Sequence, residues 1–194
     1  MPAQPSAPDE QNIKGIALRR LLENCEHFYG AEAARRVLER LPEPVGNAVR
    51  FGRVVPGGWY PIAWLKTMHK VVQEVTGTGP EVSRKFGRRT GQLNFTTVHR
   101  VFLSVLSPDW VMKRAARMFR LYVERGEMNV PDSRNGMARA VFRGCRGFDR
   151  SIWEATLGQC EAVLALCGAK NIRMRVESGG GDGDDDCEAI AYWT

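Results

Sequence analysis

Apolar positions fall at helical spacing along the chain as far as Gly126 and then change to alternation. From Ile13, the residues Ile16, Leu18, Leu21, Leu22 and Cys25 mark a first amphipathic helix that Tyr29-Gly30 ends. Ala34, Val37, Leu38 and Leu41 share one face of a second helix, which Pro42 and Pro44 stop. Val45 to Val55 alternates briefly and runs into Pro56-Gly57-Gly58, the pattern of an extended segment and a turn. Trp59-Tyr60-Pro61 opens a long helix with the proline in its tolerant first turn, and Ile62, Leu65, Met68, Val72 and Val75 form its buried stripe. After the loop Gly77-Thr-Gly-Pro80, a further helix runs from Glu81 to about Leu93. Thr97 to Leu106 reads as helix, with a strand reading left open by its β-branched residues. Ser107-Pro108-Asp109 starts the helix of Trp110, Val111, Ala115, Met118 and Tyr122, and Gly126 closes it.

Beyond Gly126, Met128-Asn-Val130 and Met137-Ala-Arg-Ala-Val-Phe-Arg143 alternate across a turn at 131–136, which is hairpin chemistry. Phe148-Asp149-Arg-Ser151 caps a helix from Ile152 to Cys167 that Gly168 closes. A strand over Ile172–Glu177, a glycine and aspartate turn over 179–186 and a returning strand over Cys187–Trp193 complete a second hairpin. Leu164, Leu166, Ile172, Met174, Val176, Ile190 and Tyr192 are its expected core-facing set. The first twelve residues are polar and proline-rich, a disordered leader. With no repeat and no linker, residues 13–194 predict one α+β domain, helices packed on an antiparallel sheet and ending in a helix plus β-hairpin.

Composition narrows the class. At 194 residues, 43% hydrophobic and 26% charged, the chain has the make-up of a soluble globular protein. Its apolar runs fall far short of the roughly 20 residues a membrane span needs, and no signal peptide opens it, so no membrane insertion and a cytoplasmic location are expected. The five cysteines, Cys25, Cys145, Cys160, Cys167 and Cys187, form no CxxC pair and read as reduced thiols. A net charge of +6 suits a nucleic-acid binder, but the basic residues are dispersed among acids from Arg19 to Arg175, which disfavours that partner.

The order Trp153, Gly158, Gly168, Glu177 and Cys187 resembles the C-terminal half of the vinyl-reductase type of ligand-binding domain. That class is related to heme–nitric-oxide sensor domains and to small subunits of vesicle-tethering complexes. Upstream the likeness is one of outline, helices ending near Gly30 and Gly77 and a long helix after Trp59-Tyr60-Pro61. The resemblance implies a pocket-bearing regulatory domain. Aromatic-sensing members hold a structural zinc through several cysteines and the strand-end glutamate. Here Ile152 and Ser178 stand at two of the cysteine places, and one thiolate with one carboxylate cannot close a tetrahedral site, so no metal is expected. The Asp182–Asp186 run lacks the spaced ligands of a calcium loop and reads as a solvated turn. No Tyr-x-Ser-x-Arg motif of the heme sensors occurs. His27, His69 and His99 are the three histidines, each more simply read as packed or surface side chains, and no cofactor is expected.

GxSxG, P-loop, HExxH and dinucleotide-type GxGxxG motifs are absent, which disfavours an enzyme. The expected function is a non-catalytic regulatory or sensory domain that binds a small apolar ligand, a protein partner or both. Trp64, Met68, Trp110, Met118, Phe142 and Trp153 are the candidate pocket residues, because mixed aromatic and methionine surfaces suit such a ligand. The chain stops after its last strand, so output is expected through a homodimer or a separate effector protein. Ile16, Leu18, Leu21 and Leu22 are the candidate dimer interface. The rivals are an interaction scaffold without a ligand and a basic nucleic-acid-binding protein.

Overall fold

Gly15 decides where the first helix begins, because a Cβ there would run into the Val55 carbonyl oxygen and, at 2.7 Å, the Tyr60 ring. The computed structural model describes residues 11–94 and 106–194. A short strand β1 (Asn12–Lys14) leads into α1 (Gly15–Tyr29), and Gly30, at φ 87°, releases the chain into α2 (Ala31–Arg40). Folded structure thus reaches into the expected leader: Gln11 is buried and its carbonyl accepts the Ile62 N–H at 3.0 Å. The expected extended segment after Pro44 is a short helix, α3 (Val45–Arg50), started by Gly46 and Ala48 N–H groups donating to the Pro42 and Pro44 carbonyls. Its brief alternation is too short to distinguish the two periods.

Trp59-Tyr60-Pro61 is strand β2, paired antiparallel with β1, not a helical turn. Helix α4 (Ile62–Thr76) begins one residue later and ends at Gly77 in the left-handed region. Helix α5 (Glu81–Leu93) follows. The expected element at 97–106 falls on residues outside the description, Leu106 excepted. Helix α6 (Pro108–Tyr122) opens as read, with Ser107 Oγ accepting the Trp110 N–H at 3.2 Å. It stops at Tyr122 rather than Gly126, because Val123 bridges Ile13 and Glu124 N–H donates to the Asn12 carbonyl at 3.1 Å.

Strands β3 (Glu127–Arg134), β4 (Met137–Arg143), β5 (Arg173–Gly179) and β6 (Cys187–Tyr192) form one antiparallel sheet in the order β3-β4-β6-β5. The first hairpin turns on Asn135 and Gly136 alone, both at positive φ (53° and 76°), so β3 runs through the expected turn. A register shift between Asn129 and Asp132 takes up Pro131, tolerated because β3 is an edge strand. Asp149 caps α7 (Arg150–Leu166) by accepting the Ile152 N–H at 2.9 Å.

One face of the sheet is buried beneath the helices. Ala138, Ala140 and Phe142 of β4 and Cys187, Ala189 and Ala191 of β6 point inward. This corrects the expected core-facing set: Ile190 and Tyr192 lie on the outer face, where Ile190 stands between Arg139 and Arg175. Aromatic contacts join sheet to helix, with Phe142 edge-on to Trp153 at 5.7 Å and Phe148 against Trp153 at 4.6 Å. The result is the expected α+β architecture, with a single connected core.

Candidate functional site

Helices α5 and α7 approach unusually closely, and small residues explain it. A Cβ on Gly87 would drive into the Ala155 carbonyl oxygen, one on Gly158 into the Arg84 carbonyl oxygen, and one on Gly91 would lie 2.7 Å from the Ala162 methyl. Ion pairs hold the crossing: Arg84 Nε donates to Glu154 at 2.6 Å, while Arg84 Nη1 and Arg88 Nε donate to the buried Glu161 at 3.0 and 2.5 Å. Helix α1 is fastened to the same pair by Asn24. Its amide donates to the Phe86 carbonyl (3.1 Å) and to Thr90 (2.9 Å), and it accepts from Arg89 (2.8 Å).

Between these helices, α4, α6 and the inner face of the sheet lies a cavity of about 150 Å³. Helix α1 contributes Ile16, Ala17, Arg20 and Leu21 to its wall, α4 contributes Leu65 and His69, and α6 contributes Met112, Met118, Phe119 and Tyr122. The α5–α7 crossing forms another side through Phe86, Gly87, Gly91, Ala155, Gln159 and Cys160, and Phe142 closes it from the sheet. The wall is mostly apolar. Arg20 is the charged side chain among the described lining residues.

His69 is the histidine in that wall. Its Nδ1 lies 2.9 Å from Ser83 Oγ, and burial pushes its pKa down to about 4, so the imidazole is neutral at physiological pH. Burial also raises Tyr122, a shift that the nearby Arg20 charge opposes. The cysteines are inert by the same logic: burial pushes Cys25, Cys167 and Cys187 up to about 11, and Cys145 and Cys160 to about 12. Among the described residues no three His, Cys, Asp or Glu side chains are placed to hold a metal ion.

The Asp182–Asp186 turn is a clasp over the start of α7. Asp182 accepts the Arg150 N–H and Asp186 the Gly144 N–H, both at 2.9 Å, and the Asp184 carbonyl accepts Trp153 Nε1 at 3.3 Å.

Of the six candidate pocket residues, Met118 and Phe142 line the cavity. Met68 and Trp153 are buried in the core outside its wall, and Trp64 is half-buried against Tyr60 at 5.6 Å. Trp110 is not a pocket residue: it is 44% exposed with the Arg114 guanidinium 4.1 Å over its ring, since the inward face of α6 carries Val111, Met112 and Phe119. The candidate dimer stripe faces its own domain. Leu18 and Leu21 are buried in the core, Ile16 lines the cavity, and Leu22 is half-buried beside a groove between α1 and α3. The places of Arg20 and His69 in the cavity wall and the close crossing at Gly87, Gly91 and Gly158 are not among the sequence expectations. The Gly87-x-x-x-Gly91 spacing, facing Ala155, Gly158 and Ala162, was the available signal for the last.

The family model described as "Protein of unknown function (DUF2378)" matches residues 58–188. Comparison with curated proteins gives no match. Among solved structures, an iron(II) unliganded H-NOX point mutant from K. algicida superposes with a TM-score of 0.71 at 12% identity, over 94% of this chain and 97% of that one. An H-NOX protein from S. oneidensis gives 0.68 at 17%, over 94% and 96%. An oxygen-binding H-NOX domain related to soluble guanylate cyclases, in its oxygen complex, gives 0.61 at 15%, over 94% and 95%. At these identities the likeness is one of fold.

Proposed function

We propose that the chain, which belongs to the DUF2378 family of proteins of unknown function, is a non-catalytic sensory domain that takes a small apolar ligand into the cavity between α1, α5, α6 and α7. The observation that carries this reading is the cavity itself, mostly apolar-walled and built from five helices and the sheet of a sensor-type fold. A volume of about 150 Å³ has room for a molecule the size of benzene. The likeness to H-NOX structures and the order Trp153, Gly158, Gly168, Glu177 and Cys187 support a sensor domain of the wider vinyl-reductase type. Output in this reading passes to a separate effector protein or a second copy of the chain.

Heme does not fit the described residues. The cavity is about half the lower end of the roughly 300–1,000 Å³ that pockets for larger ligands occupy, and a porphyrin is such a ligand. Among the described residues one histidine lines it, and the Ser83 contact at Nδ1 leaves its Nε2 free, so the misfit is one of volume.

Calorimetric titration of the full chain with toluene tests the reading. Saturable one-to-one binding is expected, and Ala17→Leu, which fills the cavity from α1, should abolish it while leaving the fold intact. Absence of toluene binding, or binding that the filled variant retains, would overturn the assignment, and a stoichiometric complex with added hemin would overturn the size argument.

A further inference from the structure

The cavity wall is mostly apolar, with Asn24, His69, Thr90, Tyr122 and Gln159 among its polar groups, and one of its side chains is a cation with unused hydrogen-bonding capacity. Arg20 projects from α1 into the wall, and its Nη1 pairs with Glu23 one turn along the helix. Its Nε is buried and has no hydrogen-bond partner. A guanidinium carries five N–H donors in a rigid fork, so the pairing with Glu23 leaves the Nε edge free to take a planar anion. A buried donor without a partner is destabilising by itself, and a ligand oxygen placed there would remove that penalty.

Charge around the cavity agrees. No aspartate or glutamate is among the described lining residues, and His69 is neutral. Tyr122, in the same wall, lies close enough for the Arg20 charge to be felt at its phenol, so a second hydroxyl donor stands near the cation. Elsewhere in the same wall Phe142, Met118, Phe119 and Leu65 offer apolar surface. Among the described residues Arg20 is the arginine that lines this wall: Arg84 and Arg88 are held in the ion pairs of the α5–α7 crossing, and Arg89 donates to Asn24.

Resting on the cavity reading above, we propose that the ligand is a small carboxylic acid with a benzene-sized apolar body. Its carboxylate lies on the Nε edge of Arg20, and its body fills the space between α5, α7 and Phe142.

The experiment compares sodium benzoate, benzyl alcohol and toluene by titration calorimetry against the full chain and against Arg20→Gln. Benzoate is expected to bind the native chain at least about tenfold more tightly than benzyl alcohol, as a charge-assisted hydrogen bond does over a neutral one. In Arg20→Gln, benzoate affinity should fall about tenfold to a hundredfold while toluene affinity holds, which also shows that the variant keeps its cavity. Toluene binding with no preference for benzoate, or benzoate binding unchanged by Arg20→Gln, overturns the carboxylate and leaves the cavity reading standing. Failure of all three probes to bind the native chain overturns both.

Discussion

At the scale of single residues, burial sets the chemistry this chain can show. A histidine beside an apolar helical stripe reads from sequence as a packed side chain, and His69 is one, placed in a cavity wall and held neutral. Its pKa of about 4 against an ordinary 6.5 has a definite consequence. Between those values the unfolded chain binds a proton that the folded chain refuses, so stability rises with pH there. The contribution is complete above pH 6.5 and is lost as the pH falls towards 4, to the extent of about 3 kcal/mol at 1.36 kcal/mol per unit. Denaturant titrations at several pH values should therefore show a flatter acid limb for His69→Gln than for the native chain. Parallel limbs would mean that the imidazole is not desolvated as described. Arg20 had no such signature in sequence: an arginine on an amphipathic helix looks like any solvated one until the opposite wall is in place.

At the scale of elements, periodicity located the longer helices and the four strands of the main sheet, misread the short β1, β2 and α3, and could not choose between two apolar faces. In β6 the inward residues are Cys187, Ala189 and Ala191, while the larger Ile190 and Tyr192 face outward. Reading the bulkier set as buried is the natural error, and a slip of one residue exchanges the faces completely. Alanine fills most of the inward faces of β4 and β6, and the Phe142 ring beside it meets Trp153 edge-on at 5.7 Å. Ile190→Asp, placed between Arg139 and Arg175, should therefore stay soluble and lie within about 1 kcal/mol of the native stability. Ala191→Asp would bury an unpaired carboxylate and should abolish folding. An insoluble Ile190→Asp with a folded Ala191→Asp would show the strand to be inverted. The α5–α7 crossing follows the same rule, since glycine at 87, 91 and 158 is what permits the approach that shapes the cavity.

At the scale of the whole molecule, the α+β class and the order of its elements were legible because each element is local. The cavity was not, because its wall draws single residues from segments as distant in the chain as Ile16 and Val163. Charge is also clearer in three dimensions. The net +6 invites a nucleic-acid reading, yet several of the described arginines pair with acids on the same surface. Arg35 pairs with Glu32 and Glu39, Arg84 and Arg88 with Glu161, Arg139 and Arg143 with Glu188, and Arg175 with Glu177. The two guanidiniums on Glu188 hold its carboxyl below the usual range, so that this part of the sheet's outer face stays paired at neutral pH. A nucleic-acid surface instead concentrates unpaired cations along a groove or face, and each phosphate contact steepens the salt dependence. Fluorescence anisotropy with a labelled DNA duplex should therefore show, at physiological salt, binding no tighter than the roughly 10⁻⁴–10⁻⁶ M of non-specific association. A submicromolar Kd with a steep loss on raising salt would restore the basic residues to a functional role and displace the sensory reading.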